Sequence, residues 1–415
     1  MAHQIPTGSP QLLRRINSAA VLRVIRADGP ISRAELARST GLSKPTINGA
    51  VELLIESGYL KERVADVDGR TRRPGPRSRL LSFRGDLGHL LGIDIGADKV
   101  LVVVADLTGE VLGTVRRRTK AGDRQTAETL LDLVRAASDE ALATAGVDRN
   151  SLQAVGVGTP GVVDPLSGRV TLAPQLSGWE GIRLANRLEP AFPCPVLVDN
   201  EVHLSVLGER WRGSAQGIDD ALYVQVGVGI GGGILIGGNV YRGDGGAAGE
   251  IGYLPIFDDG GDGRDGLGPF EHAAGGTAFA RLGRRAAAAG ESPRLLELAG
   301  GDLDAIDAEV VFAAADRGDA AAQRILDELL RRLAHGIASA VTILNPSTVI
   351  VGGGVSRAGG RLLEPLQRLI TDLVPVPPRV VLSSLGDESV ALGATRLALQ
   401  AVEERLFGLA VSEAV

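Results

Sequence analysis

Three polar residues end one apolar stretch of this sequence and could support chemistry. Residues 194–211 read CPVLVDNEVHLSVLGERW, and the strand-like run at 196–198 stops at Asp199, Asn200 and Glu201. Polar groups at the end of a buried strand are costly unless they are hydrogen bonded or hold a ligand. Glu201 could therefore accept a proton in a reaction, bind a ligand, or merely favour the N-terminus of the helix that follows.

Glycine turns between predicted strands mark three further places where chemistry could occur. Asp94 and Gly96 lie in the first turn, where bare backbone can approach a phosphate or sugar and a carboxylate could hold Mg²⁺. Gly227 and Gly229 open the second turn, GVGIGGG, and residues 349–359, VIVGGGVSRAG, contain the third. Three such turns at wide spacing predict a two-lobed nucleotide-binding architecture with a cleft, rather than a Rossmann unit with one fingerprint.

The elements that precede these turns predict a separate, basic module at residues 1–85. It holds 15 basic and 7 acidic residues, whereas the remainder of the chain holds 29 and 43. A first helix is indicated by the spacing of Leu13, Ile16 and Ala20 and stops at Gly29. The basic charge makes this module the one expected to meet nucleic acid.

A second and a third helix in this module follow the helix-turn-helix pattern. Ser32 and Glu35 predict a capping box, Gly41 supplies the turn, and the third helix begins at Ser43. A helix with exposed hydrogen-bond donors at its start can enter a major groove. The residues expected to face DNA there are Ser43, Lys44, Thr46 and Asn48.

An arginine-rich tip follows the third helix. Two short apolar runs flank Arg70, Arg72, Arg73 and Arg77, as expected of a β-wing that lies along phosphates or reaches a minor groove. The alternative is a solvated charge run beside a small helical oligomerisation domain. The ordered sequence of capping box, glycine turn, exposed donors and arginine wing favours DNA binding.

Composition limits the remaining classes. One cysteine in 415 residues excludes a disulfide framework, and residues 1–10 show no secretory signal pattern, which together predict a cytoplasmic protein. Residues 221–241 are uncharged and as long as a membrane span. Their seven glycines separate two apolar blocks, which favours a hairpin over a lipid-facing helix.

Several stretches carry a resemblance to a known family. The most specific is GVGIGGGILIGGNVYRGDGGAAGEIGY at residues 227–253, and GVGTPGVVDPLSG, LAPQLSGWEGI and LNPSTVIVGGGVS also match. The chain resembles the ROK family, which groups sugar kinases with transcriptional repressors, over almost its whole length. The resemblance implies an α/β, two-lobed, actin-like (ribonuclease H-type) fold. The preceding winged helix-turn-helix resembles the repressor branch.

Departures from the kinase pattern decide what the resemblance implies for activity. Family kinases end the strand in Asn-Asp, and that Asp takes the proton from the attacking sugar hydroxyl, whereas the matching pair here is Asn200-Glu201. The longer Glu side chain displaces the carboxylate, and misplacement on that scale can cost about 10²-fold. Asp98 and Val228 stand where kinases carry threonines facing phosphates. We therefore expect no nucleotide cofactor and no kinase activity.

The family zinc site is also missing from this sequence. The places of its cysteines and histidine are taken by Asp262, Arg264, Pro269 and Tyr253, which cannot supply the thiolate and imidazole ligands of tetrahedral zinc. Sugar recognition is better preserved: of five family positions, Asn200, Glu250 and Glu271 match, and Glu201 and Tyr253 differ. These five are the expected effector-binding residues.

Together these patterns predict a sugar-responsive transcriptional regulator, by default a repressor, with a degenerate kinase domain as sensor. Expected partners are a palindromic DNA operator, a sugar or sugar-phosphate effector, and further copies of the chain in a dimer or tetramer. Two alternatives stay open: an ATP-dependent sugar kinase with a DNA-binding head, in which Glu201 is the base, and a constitutive DNA-binding module without a ligand. The expected domains are residues 1–85, a first lobe of 86–200 with 393–415, and a second lobe of 201–392.

Overall fold

Three helices and a small antiparallel sheet form the head of the molecule. The computed structural model describes residues 10–64, 79–119, 126–173, 176, 178–256 and 267–407. The sheet has the strand order β1-β3-β2. The head elements are α1 (Pro10–Asp28), β1 (Ile31–Ser32), α2 (Arg33–Thr40), α3 (Lys44–Glu56), β2 (Leu60–Val64) and β3 (Arg79–Phe83).

Local capping signals fix the helices of the head, as the sequence predicts. The Ser32 hydroxyl accepts from the Glu35 N–H and Glu35 accepts from the Ser32 N–H, so the capping box is confirmed. Gly41 ends α2 in the left-handed conformation at φ 70°. Ser43 caps α3 by accepting from the Thr46 N–H.

The buried residues of α1 lie mainly in its second half. Leu13 and Ile16 are exposed, and the side chains of Val21, Leu22 and Ile25 fill the core. Residues three and four apart share a helix face, so both sets satisfy the helical spacing. The spacing therefore predicted the helix, and the packing partners decide which of its residues are buried.

The first large sheet is mixed and has the strand order β10-β7-β4-β5-β6. Strands β4, β5 and β6 form an antiparallel meander, and β7 and β10 add in parallel. Its elements are β4 (His89–Ile95), β5 (Lys99–Asp106), β6 (Val111–Arg118), α4 (Ala127–Ala145), β7 (Leu152–Thr159), β8 (Val162–Val163), β9 (Val170–Leu172), α5 (Leu184–Leu188) and β10 (Val196–Asn200).

The second large sheet has the strand order β13-β12-β11-β14-β15. The glycine-rich segment at 221–241 forms its antiparallel strands β11, β12 and β13, which confirms the predicted hairpin. The remaining elements are α6 (Glu201–Arg212), β11 (Ala221–Val226), β12 (Ile230–Ile236), β13 (Asn239–Tyr241), α7 (Pro269–Ala274), α8 (Gly276–Ala288), α9 (Pro293–Leu298), α10 (Ala308–Asp316), α11 (Ala320–Leu344), β14 (Thr348–Gly352), α12 (Gly360–Leu373), β15 (Arg379–Leu382) and α13 (Ser389–Phe407). None of the helices in the described ranges is both long and apolar enough to cross a bilayer.

Helix α13 returns to the first sheet and lies across β4 and β7. A side-chain carbon at Gly92 or Gly156 would overlap the backbone of Ala391 or Ala394 on α13. These strand glycines therefore allow the helix to approach the sheet closely. The domain boundaries expected at residues 85, 200 and 392 stay a prediction.

The crossing of α13 and α6 gives a stability prediction. A methyl group at Gly393 would overlap the carbonyl oxygen of Leu204 on α6. We expect Gly393→Ala to lower the free energy of unfolding by about 1–3 kcal/mol, because backbone cannot move aside like a flexible side chain. Thermal denaturation of the full chain measures this. Gly49→Ala in α3, where the added methyl meets no atom within 4 Å, should instead raise stability slightly.

Candidate functional site

A cavity of about 530 Å³ lies between the two large sheets and is the candidate effector site. Its size falls in the range of about 300–1,000 Å³ typical of small-molecule pockets. All five predicted effector residues line it: Asn200, Glu201, Glu250, Tyr253 and Glu271. The residues of the predicted degenerate phosphate turns line it too: Asp94, Gly96, Gly227 and Gly229. Their contact with a ligand stays a prediction.

Asn200 ends strand β10 and caps α6. Its Oδ1 accepts from the N–H groups of Val202 (2.8 Å) and His203 (3.4 Å), and its Nδ2 donates to the carbonyl oxygen of Gly161 (2.8 Å). Asn200, and neither Asp199 nor Glu201, is therefore the N-cap of this helix. One of the two Nδ2 protons remains for a ligand hydroxyl.

Asp199 is a structural residue behind the cavity. Its Oδ2 lies 2.8 Å from Arg242 Nε and 2.7 Å from Arg242 Nη2, and its Oδ1 lies 3.1 Å from His203 Nδ1. Burial alone would raise the pKa of Asp199, but the hydrogen bond from His203 and the charge of Arg242 lower it below its ordinary value. The other ring nitrogen of His203 lies 2.9 Å from the carbonyl oxygen of Ala248. These contacts tie β10 and α6 to the loop that carries Glu250.

Glu201 faces the cavity with one hydrogen bond at its carboxyl group. Gln225 Nε2 donates to its Oε1 at 3.0 Å. Burial, and next the negative charge of Asp94, raise the pKa of Glu201 to about 8. A carboxylic acid that keeps its proton near neutral pH can donate a hydrogen bond to a hydroxyl oxygen.

Glu250, Glu271 and Tyr253 form the other side of the cavity. Glu271 is buried and accepts from the N–H groups of Ile230 and Gly268, each at 3.3 Å. Burial raises the pKa of both glutamates, and the charge of Glu271 adds to the shift at Glu250. Tyr253 is 40% exposed, which places it at the rim. Carboxyl groups in this arrangement suit the vicinal hydroxyls of a sugar.

Asp94 is held by an internal cation at the inner end of the cavity. Lys99 Nζ lies 3.2 Å from Asp94 Oδ2 and donates to the carbonyl oxygen of Asp387 at 2.9 Å. Burial raises the pKa of Asp94 to about 6, although Lys99 opposes the shift. The Lys99 ammonium thus lies at the carboxylate that the sequence suggested for Mg²⁺.

The first two glycine turns use part of their backbone donors internally. The N–H of Gly96 donates to the carbonyl oxygen of Lys99 (2.8 Å), and the N–H of Gly227 donates to that of Gly229 (2.9 Å). Each bond lies within its own turn, so neither N–H is free for a phosphate oxygen. Asp98 is exposed, and the Val228 side chain is 67% exposed in the second turn. The expected absence of a nucleotide cofactor stays a prediction.

The structure describes only part of the positions of the family zinc ligands. Asp262 and Arg264 lie outside the described residues. Pro269 is the first residue of α7, and Tyr253 follows Glu250 in a short 3₁₀ turn. Over the described ranges, no group of three or more His, Cys, Asp or Glu side chains is arranged to hold a metal ion.

The predicted DNA-facing residues lie at the start of α3. Ser43, Lys44 and Asn48 are exposed and Thr46 is half-buried. The hydroxyls of Ser43 and Thr46 lie 2.8 Å apart, so these two residues also serve the cap. Strands β2 and β3 pair antiparallel, as a wing requires. The arginines predicted for the wing tip, Arg70, Arg72, Arg73 and Arg77, lie outside the described residues.

The sequence did not identify the residues that position the polar groups of the site. These are Lys99, which contacts Asp94, Gln225, which contacts Glu201, and Arg242, which contacts Asp199. Asp387 forms ion pairs with Arg116 of β6 (2.9 Å) and with Arg357 in the turn after β14 (3.2 Å). The loop that carries Asp387 is therefore linked to the first and to the second large sheet. The available signal was the need of each buried carboxylate for a partner, which does not say where in the chain that partner lies.

The fold and the cavity define a class: a winged-helix head joined to a two-lobed, actin-like domain of the sugar-kinase type. Residues 90–401 match the ROK family and residues 14–71 match the MarR family. This chain belongs to the ROK family. The predicted fold class is therefore confirmed.

Relatives come from both branches of the family. A putative xylose repressor of Caldicellulosiruptor sp. is 30% identical over 94% of this chain and 97% of its own length. A ROK family transcriptional regulator, described as a homolog of the E. coli MLC protein, superposes with a TM-score of 0.77 at 25% identity, covering 97% of this chain and all of that one. A Streptomyces griseus glucokinase, solved with glucose and AMPPNP, superposes with a TM-score of 0.67 at 33% identity over 75% of this chain and all of its own. The repressor relatives share the head as well as the lobes, because the coverage of this chain is near complete.

Proposed function

We infer that this chain is a sugar-responsive DNA-binding transcriptional repressor of carbohydrate genes, acting in the cytoplasm. The observation that carries the inference is the joining, in one chain, of an exposed recognition-helix start to a carboxyl-lined cavity. Relatives that extend over both parts are named as repressors, which supports it. The kinase domain serves as the effector sensor.

The chemistry of the cavity favours binding over phosphoryl transfer. The longer Glu201 side chain displaces its carboxyl group from the place of the catalytic Asp of family kinases, and misplacement on that scale can cost about 10²-fold. The exposed carboxylate of Asp98 would also repel an incoming triphosphate. Some relatives are named glucokinases, so an ATP-dependent sugar kinase is the alternative function. DNA binding and phosphate transfer, measured together, distinguish the two functions.

A ligand in the cavity can act on the head through the lobes around it. The cavity is lined from both sheets, and Asp387 is paired with arginines from both sides. A sugar that binds the closed arrangement more tightly would shift the lobes and thereby the spacing of two heads in a dimer. We propose a homo-oligomer on a palindromic operator, with repression relieved by sugar.

Fluorescence anisotropy on the intergenic DNA beside the protein's own gene tests the function. The purified chain is titrated at fixed salt, with and without a panel of sugars. Nanomolar-range binding that one sugar changes is the expected result. Binding that no sugar alters would favour the constitutive module. Absence of DNA binding together with ATP-dependent phosphate transfer to a sugar would overturn the repressor in favour of the kinase.

Two substitutions in α3 test the DNA-facing surface. Lys44→Ala should weaken binding to all sequences and lower the slope of log K against log salt by about 1, as expected for one lost phosphate contact. Asn48→Ala should cost about 1–3 kcal/mol on the operator and less on unrelated DNA, as expected for a lost base contact. Arg294→Ala, an exposed charge loss on α9, is the control and should leave both quantities unchanged. Equal losses on operator and unrelated DNA for Asn48→Ala would contradict its role as a base contact.

A further inference from the structure

The charges around the cavity distinguish two kinds of effector. Among the described residues that line it, eight are acidic and two are basic, Lys99 and Arg357. A phosphorylated sugar brings up to two negative charges into this space, whereas a free sugar brings none. Those carboxyl groups that are ionised repel an anion at contact distance. An anionic ligand therefore needs positive groups that are free to meet it.

Both basic residues are already engaged by carboxyl groups. Lys99 Nζ contacts Asp94 Oδ2 at 3.2 Å, and its side chain is only 18% exposed. Arg357 Nη2 lies 3.2 Å from each carboxyl oxygen of Asp387. Moving Lys99 toward a phosphate would leave the carboxylate of Asp94, which is 2% exposed, without its partner.

Two backbone donors of the glycine turns are engaged as well. The Gly96 N–H and the Gly227 N–H point into hydrogen bonds of their own turns, at 2.8 and 2.9 Å. The side chains that accompany those turns are Asp98, which is acidic, and Val228, which is apolar. Glu201, Glu250 and Glu271 also line the cavity and can exchange hydrogen bonds with hydroxyl groups.

We propose that the cavity binds an unphosphorylated sugar, and that the Lys99–Asp94 ion pair keeps phosphorylated sugars out. This inference rests on the proposed function, because it specifies the effector of the same cavity. Lys99 is then a specificity-determining residue, because its ammonium group is held by Asp94 and cannot pair with a phosphate. Removing the charge of Asp94 should free the ammonium group to bind an anion.

Calorimetric titration of the full chain with matched ligand pairs tests the proposal. The probes are glucose, mannose and N-acetylglucosamine, each beside its 6-phosphate ester, with xylose as a further free sugar and inorganic phosphate as a further anion. At least one free sugar should bind, and its phosphate ester should bind at least about 100-fold more weakly. The Kd of the free sugar should change less than about twofold between 50 and 500 mM salt, because an uncharged ligand is not screened.

A gain of binding in a single variant tests the role of the ion pair. Asp94→Asn keeps the shape of the side chain and frees the Lys99 ammonium. The Kd of the phosphate ester divided by the Kd of the free sugar should therefore fall at least about tenfold. Asp98→Asn removes the same charge from the cavity wall without freeing Lys99, and should narrow the ratio much less. Equal narrowing in both variants, or none in Asp94→Asn, would overturn the role of the pair. Circular dichroism of both variants shows whether the fold is kept, and the wild-type ligand pairs stand as the test if Asp94→Asn unfolds.

The possible failures of the two proposals differ in their results. A phosphate ester that binds more tightly than its parent sugar would overturn this inference and leave the repressor function standing. If neither free sugars nor phosphate esters bind while the operator is still bound, both the inference and the effector-sensing part of the proposed function fail.

Discussion

Replacing Glu201 by glutamine is expected to stabilise the protein at pH 8 and to change its stability little at pH 4.5. The pKa of Glu201 is raised to about 8 in the folded chain from its ordinary value of 4.5, chiefly by burial and next by Asp94. The folded state therefore binds a proton that the unfolded state releases between these pH values. The favourable contribution of the protonated form is complete below pH about 4.5 and is lost as pH rises through about 8.

Glutamine matches the protonated carboxyl in shape and can still accept from Gln225. The full pKa shift corresponds to a loss of several kcal/mol in the free energy of unfolding at high pH. Allowing for screening by solvent, we expect a loss of about 2 kcal/mol. Thermal denaturation between pH 4.5 and pH 8.5 should show a smaller fall in Tm for Glu201→Gln than for the wild type. Glu297→Gln, at an exposed position of α9, should keep the wild-type dependence. Parallel curves for Glu201→Gln and wild type would mean that the folded protein carries an ionised Glu201.

Replacing Arg26 by alanine is expected to separate DNA binding from its control by sugar. Arg26 lies on α1 of the head and forms an ion pair with Glu403 of α13. Its Nη2 also donates to the carbonyl oxygen of Leu107 at 3.1 Å, and its guanidinium lies 5.3 Å from the ring centre of Phe83. These contacts join the head to the first sheet's region. Without these contacts, the head is coupled to the lobes only by the covalent chain and by weaker contacts.

The ratio of DNA affinities with and without sugar measures this coupling. For Arg26→Ala we expect it to fall to below about twofold, from the roughly 5–150-fold common in allosteric proteins. DNA affinity without sugar and sugar affinity without DNA should stay close to wild type, because Glu403 keeps Arg396 as a partner at 3.0 Å. Arg23→Ala, an exposed change on the same helix, should keep the wild-type ratio. An unchanged ratio in Arg26→Ala would show that the signal takes another route.

Local signals in the sequence predicted the head and the strands well. The capping box of Ser32 and Glu35, the left-handed Gly41 and the hairpin at 221–241 depend on neighbours within a few residues. Such interactions involve residues that are close in sequence, so they can be recognised without knowledge of the fold. The buried face of α1 depends on what packs against it, and the spacing of its apolar residues did not indicate that face.

The candidate site was predicted only as far as its motifs extend. Glu250 and Glu271 lie within or near the most specific matching stretch, and both line the cavity. The partners that set their surroundings come from far along the chain, as Arg242 does for Asp199 and Asp387 does for Lys99. No short-range pattern encodes such a pairing. The raised pKa of Glu201 likewise depends on burial and on Asp94, which is distant in the sequence. The sequence could thus identify a carboxyl group without indicating that it keeps its proton.

The long path of the chain between the first sheet and helix α13 has a consequence for the order of folding. The core of the head is closed by residues between Val21 and Leu81. The face of β4 and β7, by contrast, is covered by Ala394 and its neighbours on α13, with the whole second sheet in between. On the ribosome the head can fold as soon as it emerges, while the first lobe waits for a helix made much later. A nascent chain should therefore pass through a stage in which it can recognise DNA and cannot yet respond to a sugar.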